Sequence, residues 1–195
     1  MLKGPDGFVQ GYNTQIAVEP VFQLIVGQRV TQAANDKQQM VPLVEAIEEQ
    51  SGQKPEGVLA DNGYCSDENL KYLAKKRMEG FVAAGKQKHS QRREPCKRGP
   101  LPREASRVER MERKLETKVG AAVYATRKFI VEPVYGQIKQ ARGFRQFLLR
   151  GIEKSMRRMG SDLHDPQYSE VSQDLFWIER QFPVQSVAGS AQRSD

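Results

Sequence analysis

Phe8, Tyr12, Ile16 and Val18 share one parity along the first segment, with polar side chains interleaved. A second, β-branched run spans Gln23 to Val30, and Glu19-Pro20 supplies the turn between the two. A period of two in both arms predicts an antiparallel hairpin with one buried face. The period then changes. Met40, Leu43, Val44 and Ile47 recur at helical spacing, Pro42 stands early and Ser51-Gly52 closes the segment, so a helix is expected with Asp36 as its cap. Glu45, Glu48 and Glu49 fall on its wet side. Val58-Leu59-Ala60 is too apolar to alternate and reads as a short strand central in a sheet. Asp61 follows at its C-terminal end, where open α/β sheets put their ligands. Asn62-Gly63 makes the turn, Ser66 caps a helix packed through Leu70, Leu73 and Ala74, and Phe81 to Ala84 returns as a strand. Strand, strand, helix, strand, helix, strand is the order of a mixed α/β domain.

From Lys86 to Lys118 the pattern is lost, then regained. The stretch holds twelve Lys/Arg against five Asp/Glu, and its first half carries Pro95, Pro100 and Pro102 without periodicity, which predicts a long basic loop. From Ser106 onward Val108, Met111 and Leu115 restore a helical cadence. A solvated insertion and a phosphate-contacting arm both account for this segment. Farther on, Ile130, Val134, Ile138 and Ala141, with Phe144 and Phe147 beyond, fall on one side of a helix and leave Glu132, Lys139 and Arg142 on the other. Pro133 predicts that this helix starts or kinks near Glu132.

Composition narrows the class. The 195 residues suffice for one core, while 38% hydrophobic residues suggest that part of the chain lies outside it. No segment is apolar for long enough to span a bilayer and no signal core follows Met1, so a cytoplasmic protein is expected. Two cysteines in unlike contexts and two histidines exclude a disulfide framework and argue against a Cys/His zinc site. The net charge of +7 favours a polyanionic partner.

Four blocks, GYNTQIAV, LADNGYCSDENL, YATRKFIVEPVYGQIK and ARGFRQFLLRG, occur in the order seen in bacterial insertion-sequence transposases of the DDE class. The chain resembles the catalytic domain of that family from about Gly7 to Lys154. The resemblance implies an RNase H-like mixed sheet with flanking helices, a DNA partner at insertion-sequence ends, and Mg²⁺ or Mn²⁺ as cofactor. It assigns Asp61 and Glu132 as catalytic acids and metal ligands. Tyr124, Arg127, Glu132 and Lys139 look like the family's tyrosine-arginine-glutamate-lysine signature, with Arg127 one residue farther from Glu132 than in its commonest form. Tyr124, Arg127, Lys139 and Arg142 are thereby expected to contact DNA. The chemistry suits such residues, because in-line displacement at phosphorus needs oxygen ligands that hold divalent ions on the attacking and leaving oxygens.

Two departures shape the expectation. The family's first catalytic aspartate lies on a strand ahead of the block that begins here at Gly7, so the fold is expected to be incomplete at its N-terminus and the catalytic domain, residues 1–154, to be partial. After Lys154 the family continues with an apolar segment reading approximately GEWALICTTHNILK. Read from the second base of the Met156 codon, permitted codons for Met156 to Val171 spell CGEWALICTTHNILK. Residues 155–195 are therefore expected to be an out-of-frame, poorly ordered tail, and Leu175-Phe176-Trp177-Ile178 an accidental apolar run. The leading expectation is a DDE transposase, a truncated and inactive copy, that associates with itself or with an intact transposase. A non-catalytic DNA-binding remnant and an unstable pseudogene product are the alternatives.

Overall fold

The computed structural model describes residues 2–4, 7–9, 11–33, 35–85, 99–141, 143, 151–163 and 175–185. Strands β1 (Leu2–Gly4) and β2 (Gly7–Val9) form a small antiparallel pair. The main sheet holds β3 (Gly11–Val18), β4 (Ile25–Thr31), β5 (Gly57–Ala60), β6 (Glu79–Val82) and β7 (Leu175–Gln185), in the order β4-β3-β7-β5-β6. Strand β3 is antiparallel to β4 and β7, whereas β5 is parallel to β6 and β7. The domain is thus mixed α/β, as the order of predicted elements implies.

Helices cover both faces because the strands present apolar side chains on both. On one side α1 (Met40–Ser51) and α2 (Asp67–Lys76) bury Met40, Leu43, Val44, Ile47, Leu70 and Leu73 against Ala17, Val26, Val58, Ala60 and Val82. On the other, α5 (Arg127–Gly136) and α6 (Ile152–Leu163) set Ile130, Val131, Val134 and Met159 against Ile16, Val18, Val30, Leu59 and Phe81. Each fully buried side chain of this size contributes roughly 1.5–3 kcal/mol relative to exposure. Helices α3 (Arg107–Glu116) and α4 (Lys118–Ala125) meet at Thr117, which ends one and caps the other.

Several sequence expectations are corrected. Asp36 does not cap α1; the cap is Gln39, without a side-chain bond, and Asp36 is turned into the fold. Ala141 is exposed, not buried with Ile138. Pro133 neither starts α5 nor ends it. Its missing N–H would have bonded the Phe129 carbonyl, and Gln23 Nε2 from the β3–β4 turn donates to that oxygen at 2.9 Å instead. A π-helical turn, Gln137–Ala141, follows immediately. Phe144, Phe147 and the basic stretch 86–98 lie outside the described residues.

The largest difference concerns the end of the chain. Where neither helix nor strand was expected, residues 152–163 form α6 and residues 175–185 form β7, inserted between β3 and β5. The aromatic and β-branched content of Leu175-Phe176-Trp177-Ile178 suits a strand bonded on both sides. Pro183, without an N–H, falls where the β3–β7 register shifts between Tyr12 and Thr14, a position that tolerates it.

Candidate active site

Asp61 stands where expected, one residue beyond β5, in extended backbone at the head of a 3₁₀ turn over Asn62–Tyr64. Its Oδ1 accepts the Gly63 N–H at 2.8 Å, so the acid pins its own turn. Ser66 then caps α2 by accepting from the Asn69 N–H, and Asp67 and Glu68 occupy the first helical turn. Asn69, almost fully buried, donates to the Lys37 and Tyr64 carbonyls at 2.7 Å each, which ties the turn to the approach of α1. The loop carrying Asp61 is therefore held from three directions.

Glu132 lies on the exposed side of α5. Leu59, two residues before Asp61, shares a core with Ile130, Val131 and Val134 of α5. The elements that carry the two acids thus pack together, and the Gln23 bond to Phe129 fixes the helix just before Glu132. Among the described residues no three His, Cys, Asp or Glu side chains gather as a group able to hold a metal ion.

The other candidates separate. Tyr124 is half-buried and packs against the core between sheet and α5. Arg127 opens α5 and is half-buried. Lys139 sits in the π-helical turn with its Nζ 5.5 Å from the Tyr135 ring centre, so part of its charge faces an aromatic surface. Arg142 lies outside the described residues. Cys65, beside the Asp61 turn, is not a nucleophile in waiting: burial first, and the Glu112 carboxylate second, push its thiol up from the ordinary range while Lys37 pulls the other way. Sequence reasoning passed over Asn13 and Gln15 and took Asp36 only as a helix cap; all three are buried polar residues beside the turn.

The family model for the transposase DDE domain matches residues 3–161. The chain belongs to this family. The match takes in the hairpin, Asp61, α5 with Glu132, and α6 as far as Asp162's neighbour Ser161. Transposases act on DNA, and the basic balance of this transposase domain accords with that partner. No curated protein and no solved structure matches the chain. No helix among the described residues of the transposase domain is long and apolar enough to cross a membrane.

Proposed function

We propose that this transposase domain adopts an RNase H-like arrangement and carries the machinery for metal-dependent cleavage and strand transfer of DNA at insertion-sequence ends, with Asp61 and Glu132 as its acids. The observation that supports this is the position of Asp61 at the C-terminal end of β5 and of Glu132 on the exposed side of α5, both within the matched span. The donors near the turn are oxygens of carboxylates, which fit a hard divalent ion such as Mg²⁺ or Mn²⁺. Bound there, such an ion would activate the attacking oxygen and stabilise the leaving one. In this chain Asp61 would hold it, its orientation set by the Gly63 N–H. Glu132 would join from α5, and Arg127, Lys139 and Arg142 would neutralise phosphates while Tyr124 steadies α4 against α5.

A second reading, a DNA-binding remnant with no catalysis, is favoured by one observation: among the described residues no three His, Cys, Asp or Glu side chains gather as a group able to hold a metal ion. Nicking of a supercoiled plasmid in Mn²⁺ separates the two. Cleavage that falls at least about 100-fold in both Asp61→Asn and Glu132→Gln supports the catalytic reading; cleavage equal in wild type and both variants is contamination and defeats it. Salt-dependent DNA retention without any nicking establishes the remnant. We further propose that residues 155–195 arose by a frameshift near Ser155 and that the product is an inactive or unstable copy, working, if at all, beside an intact transposase. The encoding DNA decides the origin: the shifted frame must read as the apolar segment CGEWALICTTHNILK, and any other reading rejects it.

A further inference from the structure

The turn after β5 rests on a second acid. Asp36 is 3% exposed, and its Oδ1 accepts from Asn13 Nδ2 at 2.6 Å and from Gln15 Nε2 at 3.0 Å. Its other oxygen faces Gly63. A Cβ at residue 63 would stand 2.9 Å from Asp36 Oδ2 and 3.0 Å from Asp61 Oδ1, so glycine there lets the two carboxylates converge. Any side chain would push them apart.

An independent feature of the same place concerns the amides. Asn13 and Gln15 are both 0% exposed, and although their nitrogens reach Asp36, their side-chain oxygens Oδ1 and Oε1 have no hydrogen-bond partner. Both unmet atoms are acceptors. Buried acceptors are satisfied by a guest that donates or is positively charged. Two carboxylates that both border Gly63 add to the pull on positive charge, and an all-oxygen set is what hard divalent ions take.

We propose that Asp36 and Asp61 together hold one hard divalent cation, with Asn13 and Gln15 fixing Asp36 and turning their carbonyl oxygens to the ion's hydration shell. This rests on the reading of Asp61 as a metal ligand and adds to it a residue that neither sequence spacing nor the Glu132 pairing supplies. In wild-type protein, sub-stoichiometric Mn²⁺ is expected to broaden the side-chain amide resonances of Asn13 and Gln15 before any others. Asp36→Asn is expected to weaken Mn²⁺ binding at least about tenfold while a thermal melt shows it folded; should it not fold, the wild-type broadening decides alone. Broadening confined to the backbone around Glu132, or an unchanged Mn²⁺ affinity in folded Asp36→Asn, overturns the proposal. Absence of any Mn²⁺ effect overturns it as well and leaves water as the guest. If Asp61→Asn also binds Mn²⁺ unchanged, the metal reading of the active site fails with it; if only Asp36→Asn is unaffected, that reading survives without Asp36.

Discussion

A chain ending at residue 163 is expected to lose its single unfolding transition. Among the described strands β7 alone joins β3 to β5, so its removal divides the five-stranded sheet into the β3–β4 hairpin and the parallel β5–β6 pair. Neither remnant has a second strand to cover its inner edge, and two-stranded pieces are marginal in water. The hydrophobic layers suffer too, because Ile16 and Val18 on one side of the gap and Leu59 and Phe81 on the other belong to one core that no longer has a continuous floor. Ile178→Pro tests the same idea with one atom group: it removes an N–H from the strand bonded to both Ala17 and Ala60, at a cost of about 3 kcal/mol or more. Circular dichroism melts check both. A truncated chain that still melts cooperatively at the wild-type temperature would show that β7 contributes nothing to the sheet.

Gly120→Ala is expected to be the most damaging single substitution among the glycines. Gly120 is buried at the start of α4, and a Cβ there would overlap the Lys114 carbonyl oxygen, a backbone atom of α3 that cannot swing away, and would stand 3.0 Å from Thr117 Oγ1. Thr117 Oγ1 is also the cap of α4, accepting the Gly120 N–H at 3.0 Å. The methyl group therefore opens the α3–α4 elbow and loosens the cap together. Overpacking against backbone costs about 3 kcal/mol, which lowers Tm by roughly 6–12 °C for a domain of this length. Because α4 carries Tyr124 and leads into Arg127, DNA affinity should fall with stability. Gly136→Ala is the control. Its Cβ would meet nothing within 4 Å, so equal or slightly higher Tm is expected there. Equal melts for both variants would mean that the elbow is not closed as described.

What could be read from the chain beforehand was whatever is encoded within a few residues. The helical spacing of Met40, Leu43, Val44 and Ile47, the apolar run before Asp61, and Ser66 followed by Asp67 and Glu68 are all local, and each lies in the element it implied. Asp36 shows the limit. Its position before an amphipathic run suits a cap, but Asn13 and Gln15, more than twenty residues away, offer buried donors that a solvent-facing cap cannot match. Pro133 is tolerated for a similar reason, since the carbonyl it leaves behind is met by Gln23, 106 residues earlier. No spacing rule contains such pairings. At the site, the place of Asp61 was legible because strand ends and turns are local; its company was not, because the Gly63 approach depends on how the Asp36 segment packs on the Asp61 turn.

The place of β7 in the sheet also governs how the protein is made. Synthesis runs from N- to C-terminus, so the central strand leaves the ribosome after every other described strand of the sheet. Until then the inner edges of β3 and β5 both carry unmet backbone donors and acceptors, and each is a template for the strands of other chains. The hairpin β3–β4 and the β5–α2–β6 unit can form early from near neighbours, whereas closing the sheet must wait for a contact between residue 11 and residue 185. Long-range closure of that kind is slow, so translation itself imposes an interval in which the half-built domain is open to aggregation.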